Sequence, residues 1–476
     1  MVINISTFIL IGLTEGINMA DNLWNVKSPK MIVEPPGPMS RKIISNAGLA
    51  ADTVPPIIKK AEGIWIVDPD GNIIMDFISG RCTVNVGHRH PRLVKVLHEH
   101  VDLVTHGYTE ERLLLEKELE RIAPGPKKKR IVYAHSGSDA NDAAIKVARF
   151  FTKKPYIIAF TGAYHGVTYG ALSVSSYLPR MVKGFGPNVP GIYHMPYPYC
   201  YRCPYGLSKE KCGIECLSYI ENYAFKSYLP PEEVAAVIVE PVAGDAGWHV
   251  PPKEWVEGLK ELCTKNNILF ISEEVQTGFG RMGEWFGIQH FKVTPDIIVM
   301  GKAMAGGAAP MSGVIYNSEI EEIHNLGRLY HGHTMGGHPL GVATALENIK
   351  IIEDEKLLDN SKKMGKYLFD TLNEDLFKNK SSIVGDIRGV SLLIGVEIVE
   401  PNKKDNYGRP APAPELADEI CLRAMRKGLW TIRMGAYGTS VLRVAPPLII
   451  NKPLLNVAID ILESAIIETE KAHKKS

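Results

Sequence analysis

A lysine placed directly behind an apolar run is the most chemically suggestive residue of the chain. Lys302 follows Pro295-Asp-Ile-Ile-Val-Met-Gly301 and opens into Ala-Met-Ala-Gly-Gly, a turn of small residues. A lysine held in an apolar pocket at a strand end can lose its proton and attack a carbonyl carbon, forming a Schiff base. Lysines are otherwise surface residues, so the reading needs company. Leu269-Phe-Ile-Ser-Glu273-Glu274-Val-Gln276 supplies it, setting carboxylates at the end of a second apolar run. Such carboxylates are costly to bury unless they meet a cation, and a protonated pyridine nitrogen is one. His135-Ser136-Gly137-Ser138-Asp139-Ala140-Asn141-Asp142 joins a strand to a helix. Its N–H groups and hydroxyls suit an anion, and equally an ordinary N-cap. Tyr164-His165-Gly166 is an aromatic pair in a glycine-flanked loop, able to stack on a flat ring. His331-Gly-His333-Thr334-Met-Gly-Gly337-His338-Pro339 is another glycine-rich loop ahead of a helix. Its histidines invite a metal, but no nearby cysteine or carboxylate completes a ligand set. Gly278-Phe-Gly280-Arg-Met-Gly283 fits the dinucleotide pattern G-x-G-x-x-G, yet Glu273–Thr277 separate it from the strand. No acidic residue stands about twenty positions on, so it is not that fingerprint.

Elements with one rhythm must position these groups. Apolar runs at Ile131–Ala134, Tyr156–Phe160, Ala235–Val239, Ile268–Ile271, Ile297–Met300 and Gly313–Tyr316 alternate with helical stretches such as Asp139–Phe151 and Pro251–Lys265. That alternation predicts a mostly parallel sheet covered on both faces, with ligands at the carboxyl ends of its strands. Before it, Asp68-Pro-Asp-Gly71 forms a turn between strand-like Ile64–Val67 and Ile73–Phe77. Beyond the helical stretch Pro339–Glu355, strand-like Ser391–Ile398 and Val441–Val444 lie among helices, the last being Lys452–His473. The expected class is α/β, a large mostly parallel domain with a smaller α+β domain. The chain divides into a 1–22 extension, an N-terminal arm and part of the small domain over 23–80, a large domain over 81–345 and a C-terminal small domain over 346–476.

These 476 residues carry 54 Lys and Arg against 53 Asp and Glu, a balance with no broad basic field for nucleic acid or anionic membrane. A spanning helix needs about 20 apolar residues, which no stretch supplies. The apolar run Phe8–Leu13 is short for a signal peptide and lacks a positive flank. The expectation is a cytoplasmic protein whose working chain begins near Met19.

Taken in order, the motifs resemble the class III pyridoxal-phosphate aminotransferases, from about Gly63 to Leu448. Gly63-Ile-Trp-Ile-Val-Asp68-Pro-Asp-Gly71, Asp76-Phe-Ile-Ser-Gly80 and Gly87-His-Arg-His-Pro91 match the N-terminal signature. Val239-Glu240-Pro241-Val-Ala-Gly-Asp245-Ala-Gly247 and Gly385-Asp-Ile-Arg388-Gly389 match later ones. The resemblance implies fold type I and pyridoxal phosphate joined to Lys302 as an aldimine. It implies Gly137 and Ser138 at the phosphate, with Thr334 reaching it from a neighbouring subunit of a homodimer. Tyr164 would stack on the ring, Gln276 bond its phenolic oxygen and Glu273 face its nitrogen, with His165 and Glu240 also at the cofactor. Ile78, Asp245 and Arg443 would meet the substrate. The reaction expected is transamination between an amino acid or ω-amino acid and a 2-oxo acid. The alternative is racemisation or epimerisation, which some members of the family perform.

Several residues depart from the family pattern. Glu273 replaces an Asp, adding one methylene between backbone and charge. Val167 stands where members acting on 4-aminobutyrate or ornithine carry an Arg that binds a distal carboxylate, so a dicarboxylate loses one of two anchors. The other anchor is Arg443, suited to bidentate carboxylate binding. Asp245 lies where ornithine-type members place a Glu that masks this arginine, and His338 replaces an Asn. Racemisation needs no acceptor, so a site without the distal arginine fits it, as it fits transamination of monocarboxylates.

Cys200-Tyr-Arg-Cys203 and Cys212-Gly-Ile-Glu-Cys216 put four of the seven cysteines within seventeen residues, in an excursion over 193–218. Structural zinc, disulfides and free buried thiols all remain open for them. Cys82, Cys263 and Cys421 are isolated and read as core.

Overall fold

In the computed structural model, residues 22–48, 56–101, 108–320 and 331–474 are described. The start of the chain, on which the extension over 1–22 and a working start near Met19 were read, lies outside them except for Asn22.

Three short N-terminal strands, β1 (Lys60–Glu62), β2 (Trp65–Val67) and β3 (Ile73–Asp76), form an antiparallel meander. Its turn is local chemistry. Asp68 accepts from the Asp70 and Asn72 N–H groups at 3.0 and 2.9 Å, and Gly71 takes a φ of 87° that a side chain would resist. The C-terminal segment Leu429–Trp430 pairs in parallel with β3 and completes this sheet.

The central sheet has seven strands: β4 (Lys129–Ala134), β5 (Tyr156–Phe160), β6 (Ile192–Met195), β7 (Val234–Val239), β8 (Leu269–Glu273), β9 (Ile297–Met300) and β10 (Ser312–Asn317). Their order is β4-β10-β9-β8-β7-β5-β6. The four pairings from β9 to β6 are parallel, and β10 runs antiparallel to both β9 and β4. Because β4 and β9 both oppose β10, they run the same way. The carboxyl ends of β4, β5, β7, β8 and β9 therefore share one edge, and every expected cofactor residue except Thr334 follows one of those ends or, as Glu273 does, forms it. All residues of β7 and β9 are buried, as strands covered on both faces require. One cover is α1 (Gly137–Thr152), whose Ala140, Ala143, Ala144 and Ala148 are fully buried. These small side chains let the helix lie close on the sheet. Ser136 caps it by accepting the Asp139 N–H at 3.3 Å. Across the molecule α2 (Pro339–Asp354) has eleven buried residues and little amphipathicity, the pattern of an interior helix.

The C-terminal sheet is antiparallel, formed by β11 (Val384–Val390), β12 (Leu393–Lys404), Val441–Val444 and Arg433–Met434 in that order. The excursion between β6 and β7 is bolted to it. Glu397 on β12 is fully buried and accepts from Arg202 Nε at 2.5 Å, from Arg388 Nη1 at 2.7 Å and from the Tyr199 hydroxyl. Arg409 and Tyr407 add hydrogen bonds to the carbonyls of Cys203 and Pro204. No helix among the described residues is long and apolar enough to cross a membrane.

Candidate active site

Five loop segments meet at the shared edge of the central sheet. Gly137 is glycine because a Cβ there would stand 2.8 Å from Val275, whereas a Cβ at Gly301 would meet Val275 and Ser312 at 3.4 Å. Lys302 follows at once, half-buried, with a φ of 40°, a conformation L-residues seldom hold unless their surroundings impose it. Gly166 lies over Ser138: a Cβ there would be 2.2 Å from Ser138 Oγ. Ser138 Oγ in turn accepts the Val167 N–H at 3.1 Å. The result is a cradle of small residues and N–H groups at the N-terminus of α1, suited to an anion.

Beside the cradle lie three buried groups, His165, Glu240 and Glu273, whose nearest ligand atoms all fall within 4.8 Å of one another. His165 Nδ1 is 3.7 Å from Glu273 Oε2, and neither imidazole nitrogen has a hydrogen-bond partner among the described residues. Glu240 accepts the Tyr164 N–H at 2.9 Å and the Gly244 N–H. Burial pushes its carboxyl up to about 7, against the lowering effect of His165. Two buried carboxylates and one imidazole are short of positive charge, and a pyridinium nitrogen is the cation that would balance them. The small-residue cradle and this charge deficit together fit pyridoxal phosphate.

A second cluster is built on Asp245, one of the residues expected to meet the substrate. Its carboxylate pairs with Arg443, from the strand Val441–Val444, and accepts from Gln276 Nε2 at 3.4 Å. Burial alone would raise its pKa, but Arg443 and Lys302 outweigh that and hold it below the usual carboxylate value. Gln276 Oε1 accepts the indole N–H of Trp248 at 2.7 Å, and the Arg443 guanidinium lies 5.2 Å from the Trp248 ring. Trp248 was missed, although it stands one residue past the recognised Val239–Gly247 stretch. Tyr164 is half-buried, its ring edge-on to Tyr177 at 6.3 Å. Ile78 is buried with Ile66, Ile74 and Trp430, and also lines an open cavity.

Two sequence expectations change. The loop before α2 does find a carboxylate: His331 and His333 both reach Asp139 Oδ1, at 3.0 and 2.9 Å. Burial of Asp139 is outweighed by these imidazoles and the His135 N–H, which lower its pKa to about 2. Lys146 Nζ lies 3.4 Å from His331 Nδ1, so the cluster is a hydrogen-bonded knot that ties the Thr334 loop to the first turn of α1. The cysteines Cys200, Cys203, Cys212 and Cys216 line one small cavity. They are free, half-buried thiols, and no three of their sulfurs come within 4.8 Å of one another, so the zinc reading has no support. Cys82 and Cys263 are core as expected, while Cys421 is half-buried.

The family model for class-III aminotransferases matches residues 48–466. The alanine/serine racemase of Pyrococcus horikoshii is 39% identical over 93% of this chain and 93% of its own length. The 4-aminobutyrate aminotransferase of Mycobacterium leprae is 33% identical over 92% of this chain and 97% of its own. Among solved structures, a Bacillus anthracis aminotransferase superposes with a TM-score of 0.81 at 28% identity, covering 90% of this chain and 99% of its own. Class III aminotransferases depend on pyridoxal phosphate and have the fold type I architecture. With the family model across nearly the whole chain, this protein belongs to the class III aminotransferase family.

Proposed function

We propose that the protein racemises or epimerises an α-amino acid, using Lys302 and Asp245 as its two proton-handling groups. The observation that carries the reading is the Asp245–Arg443 pair within electrostatic reach of Lys302. Pyridoxal phosphate, when bound, supplies the electron sink that acidifies Cα. The cradle at Gly137 and Ser138 would hold its phosphate, and Glu273 with His165 and Glu240 would keep its nitrogen protonated. Thr334 would complete the phosphate site across a homodimer.

The chain's own residues then do the rest. The substrate carboxylate displaces Asp245 from Arg443, which orients the amino acid. Freed of its cation, Asp245 becomes a better base and, once protonated, a competent acid. Lys302 Nζ takes the Cα proton from one face, and Asp245, released from Arg443 and protonated from solvent, delivers a proton to the other, a division of labour that serves racemisation and has no part in transamination. Val167, two-thirds exposed, offers nothing to a distal carboxylate. The likeness to an alanine/serine racemase supports this reading.

Transamination is the second reading, favoured by the likeness to a 4-aminobutyrate aminotransferase. Incubating the holoenzyme with single L-amino acids in D2O, without oxo acid, separates the two. Catalytic appearance of deuterated D-enantiomer, or of the Cβ-retaining epimer, is the expected result. Stoichiometric conversion of the cofactor, with turnover only after an oxo acid is added, would overturn it.

A further inference from the structure

Asp245 shares its loop with a residue that the proposed chemistry leaves unused. Ala243 and His249 pair through both backbone hydrogen bonds, at 3.1 and 3.2 Å, and close residues 244–248 into a loop. Inside it the Gly247 and Trp248 N–H groups both donate to the Gly244 carbonyl at 3.1 Å. Trp248 takes a φ of 50°, which an L-residue with a large side chain seldom holds. Its side chain is fully buried. Strain of this kind persists where the surroundings fix a side chain's direction.

That direction is toward Gln276. The indole N–H donates to Gln276 Oε1 at 2.7 Å, and Gln276 Nε2 donates to Asp245 Oδ1 at 3.4 Å. An indole nitrogen can only donate and a carboxylate can only accept. Both neighbours therefore select the same one of the two amide orientations. Reversing the amide would set NH2 against N–H and oxygen against oxygen, at a residue only 6% exposed. Gly244 leaves the amide its room, since a Cβ there would stand 2.7 Å from Gln276 Oε1.

Among the described residues, Arg443 and Gln276 are the two hydrogen-bond donors to the Asp245 carboxylate. Arg443 is the one that a substrate carboxylate takes, so Gln276 is the one that stays. An amide held as a donor grips one oxygen of Asp245 and cannot accept a proton from the other. An amide free to turn would offer its oxygen to protonated Asp245 and draw the proton away from Cα. We infer that Trp248 is a positioning residue for Asp245, acting through Gln276: its N–H holds the amide as a donor. Asp245 thereby keeps its aim when Arg443 is taken, with its own O–H left for Cα. The inference rests on the reading of Asp245 as a proton-handling group.

The test uses the holoenzyme in D2O, without oxo acid, and the chiral L-amino acid that the wild type inverts fastest. Each variant is scored by its rate of forming the opposite enantiomer divided by its rate of Cα proton exchange. Exchange proceeds through Lys302 while inversion needs Asp245, so general damage lowers both rates and leaves their ratio. In Trp248→Phe the ratio is expected to fall by more than about threefold. In Trp248→His the imidazole overlies the five-membered half of the indole and sets Nε2 where the indole nitrogen stood. Its ratio is expected to stay within about threefold of the wild type, although the substitution opens at least as large a cavity. The reverse result in either variant would overturn the inference, and the histidine variant decides alone if the phenylalanine variant does not fold. Urea titrations of the apo protein add a readout apart from turnover. Trp248→Phe should lower the folding equilibrium constant about fivefold more with Gln276 present than in Gln276→Leu, and equal losses would likewise overturn the inference. If Asp245→Ala keeps the wild-type ratio, or the wild type inverts no amino acid, the proton-handling reading itself fails and takes the inference with it.

Discussion

Replacing Asp245 with alanine should tighten the binding of simple carboxylates while abolishing racemisation. In the resting protein the Arg443 guanidinium, 3% exposed, is occupied by the Asp245 carboxylate, 25% exposed. A substrate carboxylate must therefore displace an internal one before it binds. A hydrogen bond to a charged partner is worth about 1.5–3 kcal/mol, which corresponds to roughly 10- to 150-fold in affinity. Arg443 keeps its orientation in the variant because the Trp248 ring still lies against it. Butyrate affinity of Asp245→Ala holoenzyme, followed through the cofactor band, should thus rise by about that factor. The melting temperature should fall without ligand, since a buried guanidinium is left unpaired, and should recover more on adding butyrate than in the wild type. In D2O the variant should still exchange the Cα proton through Lys302 while formation of the opposite enantiomer drops by about a hundredfold or more. Weaker or unchanged butyrate binding would refute the masking argument. Undiminished racemisation would refute the two-base assignment.

Other expectations follow from individual groups. Glu240, ordinarily near 4.5, is raised to about 7, so the native apo protein retains a proton that the unfolded chain releases. Apo stability should therefore be greatest below pH 4.5 as far as this group is concerned and decline as pH rises to 7. Urea titrations should show Glu240→Gln removing that decline, and an unaltered pH dependence would argue against a buried proton there. Arg281→Met strips hydrogen bonds from Ser79, Asn85 and two carbonyls. It should cost about 4 kcal/mol of unfolding free energy in denaturant titration. Burial pushes the Cys216 thiol up to about 12, so iodoacetamide at pH 8 should label it slowly, as mass spectrometry of timed samples would reveal. EDTA should leave the melting temperature unmoved, because the four thiols are free.

What the sequence conveyed and what it hid have physical causes. Lys302 was legible because the continuous apolar run Ile297–Met300 marks a buried strand and glycine marks its end. Tyr156–Phe160 and Lys452–His473 were legible for the same reason, since their patterns are strong and their boundaries sharp. Strand β11 was seen only as a motif: Val-Gly-Asp-Ile-Arg-Gly-Val has two glycines and no alternation, and it is strand because β12 pairs with it. Strand β6, half-exposed at the sheet edge, lacks an apolar run. The left-handed turn at Ser79–Cys82, four residues of positive φ in succession, has no local signal beyond Gly80, since partners as distant as Arg281 impose it. The knot of Asp139 with His331 and His333 joins residues almost two hundred positions apart, which spacing along the chain cannot foretell. The cysteine spacing invited a metal, yet no three of the four sulfurs around their shared cavity come within 4.8 Å of one another.

The clamp at Glu397 gives the cysteine-bearing excursion a mechanical standing. Arg388, which shares that carboxylate with Arg202, also donates to the Gly247 carbonyl at 2.8 Å, two residues from Asp245. The excursion, the C-terminal sheet and the Asp245 loop are thus tied at a single node, like struts pinned at one joint. Rotating the C-terminal sheet against the central one would have to carry all three together. The stretch between Gly206 and Gly213 hangs beyond the pin, so it can lengthen, shorten or be nicked without loading the joint. A change at Arg202 would loosen the excursion while Arg388 still ties the sheet to the loop, whereas a change at Arg388 would let the sheet and the loop drift independently.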